Sequence, residues 1–436
     1  MNKNYLGIAV VLFLVGIVVA AQAQVQAQEG ETMTQPTIDA AVATLIAQTQ
    51  QPVITQTIQA ALEQALTATA QAQSPPPTAT PQPFDIENLS LGSTVEIDLL
   101  AGPGGTGAYL APDGEHFAYL NDDAICIYEG DQEQTCVDIS SVRSPDSESI
   151  RWSPDSRYLT LTENFFITFV DPDIWLIDAN QGTLKNLTDD GVNRGSLLSD
   201  ELGDIDLIPS WTDDGDLIFF RYPFIDRSPQ PPEIHRIAVD GSGETLLGIV
   251  QTNDNPFAIY TIDVWRDKLI YVYAAQDETP DNGIWMSDLN GENAQQINHA
   301  SREAPISAVE MSPDGQFVLY RTETTAFASE YSPENSWVRA VEVETGTEIL
   351  LDSDAFVAGA GWSPQGSGLI YLTYDALEQS GNVYLSAAPG EAGKLLLEGR
   401  FNIGTPRLRQ FLTWGMNNVV LLSKSPMEGI VLMGLE

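Results

Sequence analysis

Trp152-Ser153-Pro154-Asp155-Ser156, followed after one residue by Tyr158-Leu159-Thr160-Leu161, is the stretch whose reading decides the fold. Proline presets φ near −65° at a turn corner, aspartate can accept from backbone N–H groups two residues on, and the last position suits a residue that tolerates positive φ. The chain must reverse there, and the β-branched and aromatic run that follows reads as a strand. Six further copies surround it: Leu110-Ala111-Pro112-Asp113-Gly114, Trp211-Thr212-Asp213-Asp214-Gly215, Trp265-Arg266-Asp267-Lys268, Met311-Ser312-Pro313-Asp314-Gly315, Trp362-Ser363-Pro364-Gln365-Gly366 and Trp414-Gly415-Met416-Asn417. Their third residues fall at 112, 154, 213, 267, 313, 364 and 416, with gaps of 42, 59, 54, 46, 51 and 52. Self-similarity at such a period marks a repeat architecture.

Each copy carries two more strand signals. Ile174-Trp175-Leu176-Ile177, Ile234-His235-Arg236-Ile237 and Val383-Tyr384-Leu385 are third strands, and Asn/Asp-Gly hairpins such as Asp240-Gly241 and Asn290-Gly291 lead into fourth strands. One antiparallel four-stranded sheet cannot bury both its faces, so the sheets must stack around an axis. The expected fold is all-β: a seven-bladed β-propeller of four-stranded antiparallel blades. The last repeat supplies only three strands, and Thr94-Val95-Glu96-Ile97-Asp98-Leu99 lies upstream as an orphan, so the ring is expected to close by an N-terminal strand.

The repeated W-S-P-D-G turn followed by an aromatic strand resembles the TolB-type, WD-repeat-like propeller motif over roughly residues 90 to 436. Five of the seven copies keep Trp, and three keep Pro-Asp followed by Gly or Ser. The resemblance implies fold rather than activity, since the family includes periplasmic scaffold proteins and the non-catalytic halves of prolyl peptidases. It is confined to the propeller, because the region before it is low in complexity and the sequence ends with the last blade.

Residues 1–23 hold Lys3, an apolar run from Leu6 to Ala21 and the small-residue site Ala21-Gln22-Ala23, which reads as a signal peptide; an uncleaved membrane anchor is the competing reading. Residues 24–83 are an Ala/Gln/Thr/Pro stalk or linker, and residues 84–436 are the propeller. The protein is expected to be extracytoplasmic, secreted or tethered to the outer face of the membrane, touching membrane only through the N-terminal segment where that is uncleaved. In such a compartment Cys126 and Cys136, the only two cysteines, are expected to pair across a hairpin of blade one. With 61 acidic and 19 basic residues the formal net charge is −42, which disfavours nucleic acid and anionic surfaces. No cofactor is expected. Ca²⁺ is the cation that Asp122-Asp123, Asp189-Asp190, Asp204 with Asp206, and Asp213-Asp214 with Asp216 would suit.

No reaction centre is legible. His116, His235 and His299 fall in different blades, and neither a nucleophile elbow nor a phosphate loop is present. Turns between strands one and two, and between three and four, are short and share one face of the ring; the connections between strands two and three and between blades are long and share the other. Exposed loop aromatics and rare cations are expected to bind there: Phe165, Phe166, Arg221, Tyr222, Phe224, Arg321, Phe327 and Tyr331. For the aromatics, packing against the blade rims is the alternative, and for the two arginines, salt bridges to neighbouring carboxylates. Arg151 and Glu310 precede the leading residues of blades two and five and are expected to line the central channel. The function read from these features is a non-enzymatic binding or scaffold propeller for a protein, peptide or glycan partner at the cell envelope. The alternative is a cation-dependent hydrolase or lyase acting through channel carboxylates.

Overall fold

The computed structural model describes residues 86, 88–99, 107–121, 123–165, 172–191, 203–225, 228–250, 256–275, 277–301, 304–322, 331–375, 378, 380–400, 408, 412–423 and 429–436. The expectations for residues 1–83, for Phe166 and for Phe327 lie outside these, as does the side chain of Phe224.

Seven four-stranded antiparallel sheets form the ring. Their first strands are Ala108–Leu110, Arg151–Trp152, Ile205–Trp211, Ile259–Trp265, Ile306–Met311, Val357–Trp362 and Leu412–Trp414. In blades one to six the strands follow chain order from first to fourth. In blade seven the fourth strand is Leu91–Ile97, which runs antiparallel to Ile430–Leu435 with Val95 opposite Leu432 and Ile97 opposite Ile430. Ser90 and Glu436 extend this pairing with two backbone bonds of 2.8 and 2.9 Å. Both ends of the propeller thus lie in one sheet, which closes the ring. A two-stranded ribbon, Phe224–Ile225 with Ser228–Pro229, stands outside the seven sheets.

The hydrophobic core is divided among the blade interfaces. One cluster of buried apolar side chains lies between each adjacent pair, such as Ile174, Leu176 and Leu187 of blade two against Trp211, Leu217 and Phe219 of blade three. The cluster across the closing joint sets Ile97, Leu421 and Ile430 against Leu110, Phe117 and Tyr119. Burial of this kind, at about 25 cal/mol per Å² of apolar surface, is why a blade is stable only beside its neighbours.

The turn motif does its work through its second and fourth residues. Ser153 Oγ donates to Asp155 Oδ1 at 2.5 Å and accepts from the Tyr158 N–H at 2.9 Å. Thr212 with Asp214 and Ser312 with Asp314 repeat the arrangement at 2.5 and 2.7 Å. The fifth residue takes positive φ in five copies, at Gly114, Ser156, Gly215, Gly315 and Gly366.

The leading tryptophans bind one blade to the next. Trp152 Nε1 donates to the Tyr109 carbonyl at 2.8 Å, Trp211 to that of Arg151 at 3.0 Å and Trp362 to that of Glu310 at 3.1 Å, each reaching the preceding blade. Blade four departs from this pattern. Its turn is shorter, Trp265 pairs with Lys268, and Val264 stands opposite Leu269 where the other blades have their leading residue. Aligning Trp265 with the other tryptophans therefore misplaces this repeat by one residue. Trp265 instead reaches forward to the Pro313 carbonyl at 3.1 Å and lies over Gly315, where an added Cβ would fall 2.3 Å from the indole.

Cys126 and Cys136 are joined, opposite each other on the third and fourth strands of blade one. His299 closes the fourth strand of blade four, Gln295–His299.

Candidate functional site

With blade four in register, one position repeats around the axis, one residue before the place of the leading residue in each first strand: Tyr109, Arg151, Ser210, Asp263, Glu310, Gly361 and Thr413. Tyr109, Arg151, Ser210, Asp263 and Glu310 share a cavity of about 270 Å³ with Pro112, Trp152, Trp211 and Met311. Residues of five blades meet only at the axis, so this is the central channel, at the end where the short turns are. Arg151 is fixed from two sides: Nη1 donates to Ser210 Oγ at 2.8 Å and Nη2 to the Ile262 carbonyl at 2.7 Å, with Asp263 Oδ1 at 3.8 Å. Asp263 Oδ2 in turn accepts from the Met311 N–H at 2.9 Å, carrying the chain of contacts through blades two to five. Asp263 was not legible as a channel residue because the sequence alignment of blade four was one residue out.

On the opposite face the aromatics have another role. Tyr222 is 0% exposed and Phe165 is 2% exposed. Phe257 packs 5.2 Å from each, and Tyr222 Oη donates to the Ile259 carbonyl at 3.3 Å. The expectation that these two side chains stand exposed is thus corrected: they anchor the loop bases in the core between blades three and four. Tyr331 is half-buried in an edge-to-face cluster with Phe356, Trp337 and Tyr374, at centroid distances of 4.6, 6.0 and 6.0 Å. Phe224 lies in the ribbon, opposite Pro229.

The two arginines are likewise built into the scaffold. Arg221 grips Asp206 with two bonds of 2.8 Å and reaches Glu244 Oε1 at 2.5 Å. Arg321 is buried in the second strand of blade five, between Ala308 and Val338. Burial lifts the Asp206 carboxyl, with Arg221 and Thr188 pulling the other way.

Several of the acidic residues expected to suit Ca²⁺ have partners within the protein, and Asp122 lies outside the described residues. Asp214 and Asp216 hold Arg236, Asp189 accepts from the Gly191 N–H, and Asp190 accepts from the Asp204 N–H. Among the described residues, the one group of three potential metal-ligating side chains that converges is Cys126, Cys136 and Glu133, whose sulfurs are bonded to each other. The histidines stay apart: His116 pairs with Asp113, His235 lies between Glu233 and Glu244, and His299 meets the Asn282 carbonyl.

The repeat and the closed ring define the chain as a seven-bladed β-propeller. No family model and no curated protein matches the chain. Among solved structures it is similar to hydrazine synthase of Kuenenia stuttgartiensis, at 12% identity over 79% of this chain and 98% of that one, with a TM-score of 0.51. It is similar to an oligogalacturonate lyase of Vibrio parahaemolyticus at 10% identity over 79% and 97%, with a TM-score of 0.51. TolB from Acinetobacter baumannii matches at 17% identity over 68% and 67%, with a TM-score of 0.39. At such identities the likeness is one of fold.

Proposed function

We propose that this is an exported, non-enzymatic binding propeller that presents its loop-rich face to a protein, peptide or glycan partner outside the cytoplasm. The observation that carries the reading is the asymmetry of the ring. One face is built of short turns, three of which share the same hydroxyl–aspartate bond, which gives a partner little to discriminate. The other carries connections that differ from blade to blade and whose bases are pinned by Tyr222, Phe165 and the Tyr331 cluster. Variable loops on a rigid frame are where recognition usually resides. The joined Cys126–Cys136 pair and the N-terminal apolar run support export. The channel cavity, where Asp263 and Glu310 stand on neighbouring blades, gives the hydrolase or lyase alternative a location.

The test is binding of the full chain to peptide and glycan arrays, followed by two variants. Replacing residues 323–330 by a Gly/Ser segment of equal length, together with Phe224→Ala, should weaken binding at least tenfold, about 1.4 kcal/mol. Asp263→Asn with Glu310→Gln should leave it unchanged. Loss of binding only in the second variant, or turnover of an array ligand that it abolishes, would move the function to the channel.

A further inference from the structure

Three carboxylic acids are almost fully buried where blades two and three meet on the loop side: Asp206 at 1% exposure, Glu163 at 3% and Asp173 at 6%. Asp206 has Arg221 as its counter-ion. Asp173 and Glu163 are held by neutral groups. Asp173 Oδ2 accepts from the Asn186 amide at 2.7 Å, and Glu163 accepts from the Asp173 N–H at 3.0 Å and the Trp175 indole at 3.1 Å. The same spot joins the blades, since the Asp206 N–H donates to the Pro172 carbonyl at 3.1 Å.

The charged groups facing this pair come from four sides. Arg143, in the connector before blade two, favours the ionised form of Glu163. Asp189 and Asp190, beyond the fourth strand of blade two, oppose ionisation of Asp173. Asp206 and Arg221 face it from blade three, and Asp204 reaches Asp190 through its backbone. Among these described groups the acids outnumber the two arginines, and all three buried carboxyls have little access to solvent.

We propose that Glu163 and Asp173 form a proton-held joint, which locks blades two and three together on the loop side while protonated and loosens when both acids ionise. Two buried carboxylates near each other disfavour each other's ionisation, so protonation relieves the repulsion. Burial pushes the Asp173 carboxyl up to about 7, against the Asn186 amide and with the help of Glu163, Asp190 and Asp189. Burial raises Glu163 as well. A carboxyl whose folded value lies above its unfolded 3.8 holds its proton more tightly in the fold. Its contribution is therefore complete below about pH 4 and is lost as the pH rises through about 7.

Thermal melting of the full chain at pH 5.5 and 8.0, with Asp173→Asn and with the exposed control Asp138→Asn, tests this. The wild type and the control should lose melting temperature between the two conditions, and Asp173→Asn should lose at least about 3 °C less. Hydrogen exchange corrected for intrinsic rate should show the Asp206 amide losing protection at pH 8.0 in the wild type and keeping it in the variant. Parallel loss in all three proteins, with equal Asp206 protection, overturns the proposal. If Asp173→Asn does not fold, Glu163→Gln, which keeps an acceptor oxygen for both of its donors, must show the same reduced loss or the proposal fails.

Discussion

The two faces of the ring use their polar residues in opposite ways. On the turn side, Ser153, Thr212 and Ser312 satisfy backbone groups within their own turns, and the same arrangement recurs from blade to blade. On the loop side, Asp206, Glu163 and Asp173 are buried once each, in a place no other blade reproduces among the described residues. Turn-side hydrogen bonds are local and adjoin water, where each contributes about 1 kcal/mol. Loop-side groups lie in low dielectric, where an acid must have a cation or a proton. A repeat can copy the first kind of solution cheaply; the second has to be assembled from several segments at once.

The largest expected effect tests whether both faces depend on closure. Deleting residues 84–100 removes Leu91–Ile97, which leaves Ile430–Leu435 as an unpaired edge and opens the cluster around Ile97 and Phe117. The shortened chain should lose its cooperative melting transition, and unchanged melting would break the closure argument. Next in size, Tyr222→Ala should cost about 3–5 kcal/mol in urea unfolding, as a fully buried aromatic does. A loss of ligand binding with unaltered stability would return Tyr222 to the surface role first expected of it.

The turn side was legible because its chemistry is local. Proline, aspartate and glycine at fixed offsets specify a reversal wherever they occur, and the seven-fold count and the closing strand follow from that. Blade four was misread at a point where identity and register disagree: Trp265 matches the other tryptophans by type, yet the shorter turn gives the equivalent place to Val264. That one-residue error hid Asp263, whose side chain shares the channel cavity with Arg151. On the loop side, Tyr222 and Phe165 read as loop residues because both stand where a second strand gives way to its connection, and the cluster between blades three and four, with Phe257 of the next connector in it, buries them. The acids gave no signal at all. In a chain with 61 acidic residues, spacing cannot separate a buried aspartate from a solvated one.

The smallest effect is the sharpest test of how local the turn side is. Ser156 occupies, at φ 58°, the place held by Gly114, Gly215, Gly315 and Gly366 in other blades. A side chain in that left-handed conformation costs roughly 1–2 kcal/mol. The Ser156 hydroxyl offsets part of this by accepting the Asp113 N–H of blade one at 2.9 Å, a bond that glycine cannot make. Ser156→Gly removes both the strain and the bond, so its stability should stay within about 1 kcal/mol of the wild type. Ser156→Ala keeps the strain and loses the bond, and should be less stable than Ser156→Gly by about 1 kcal/mol in urea midpoint measurements. If alanine equals or exceeds glycine, the strain is not carried by this residue, and the turn is shaped by its neighbours in blade one rather than by its own backbone.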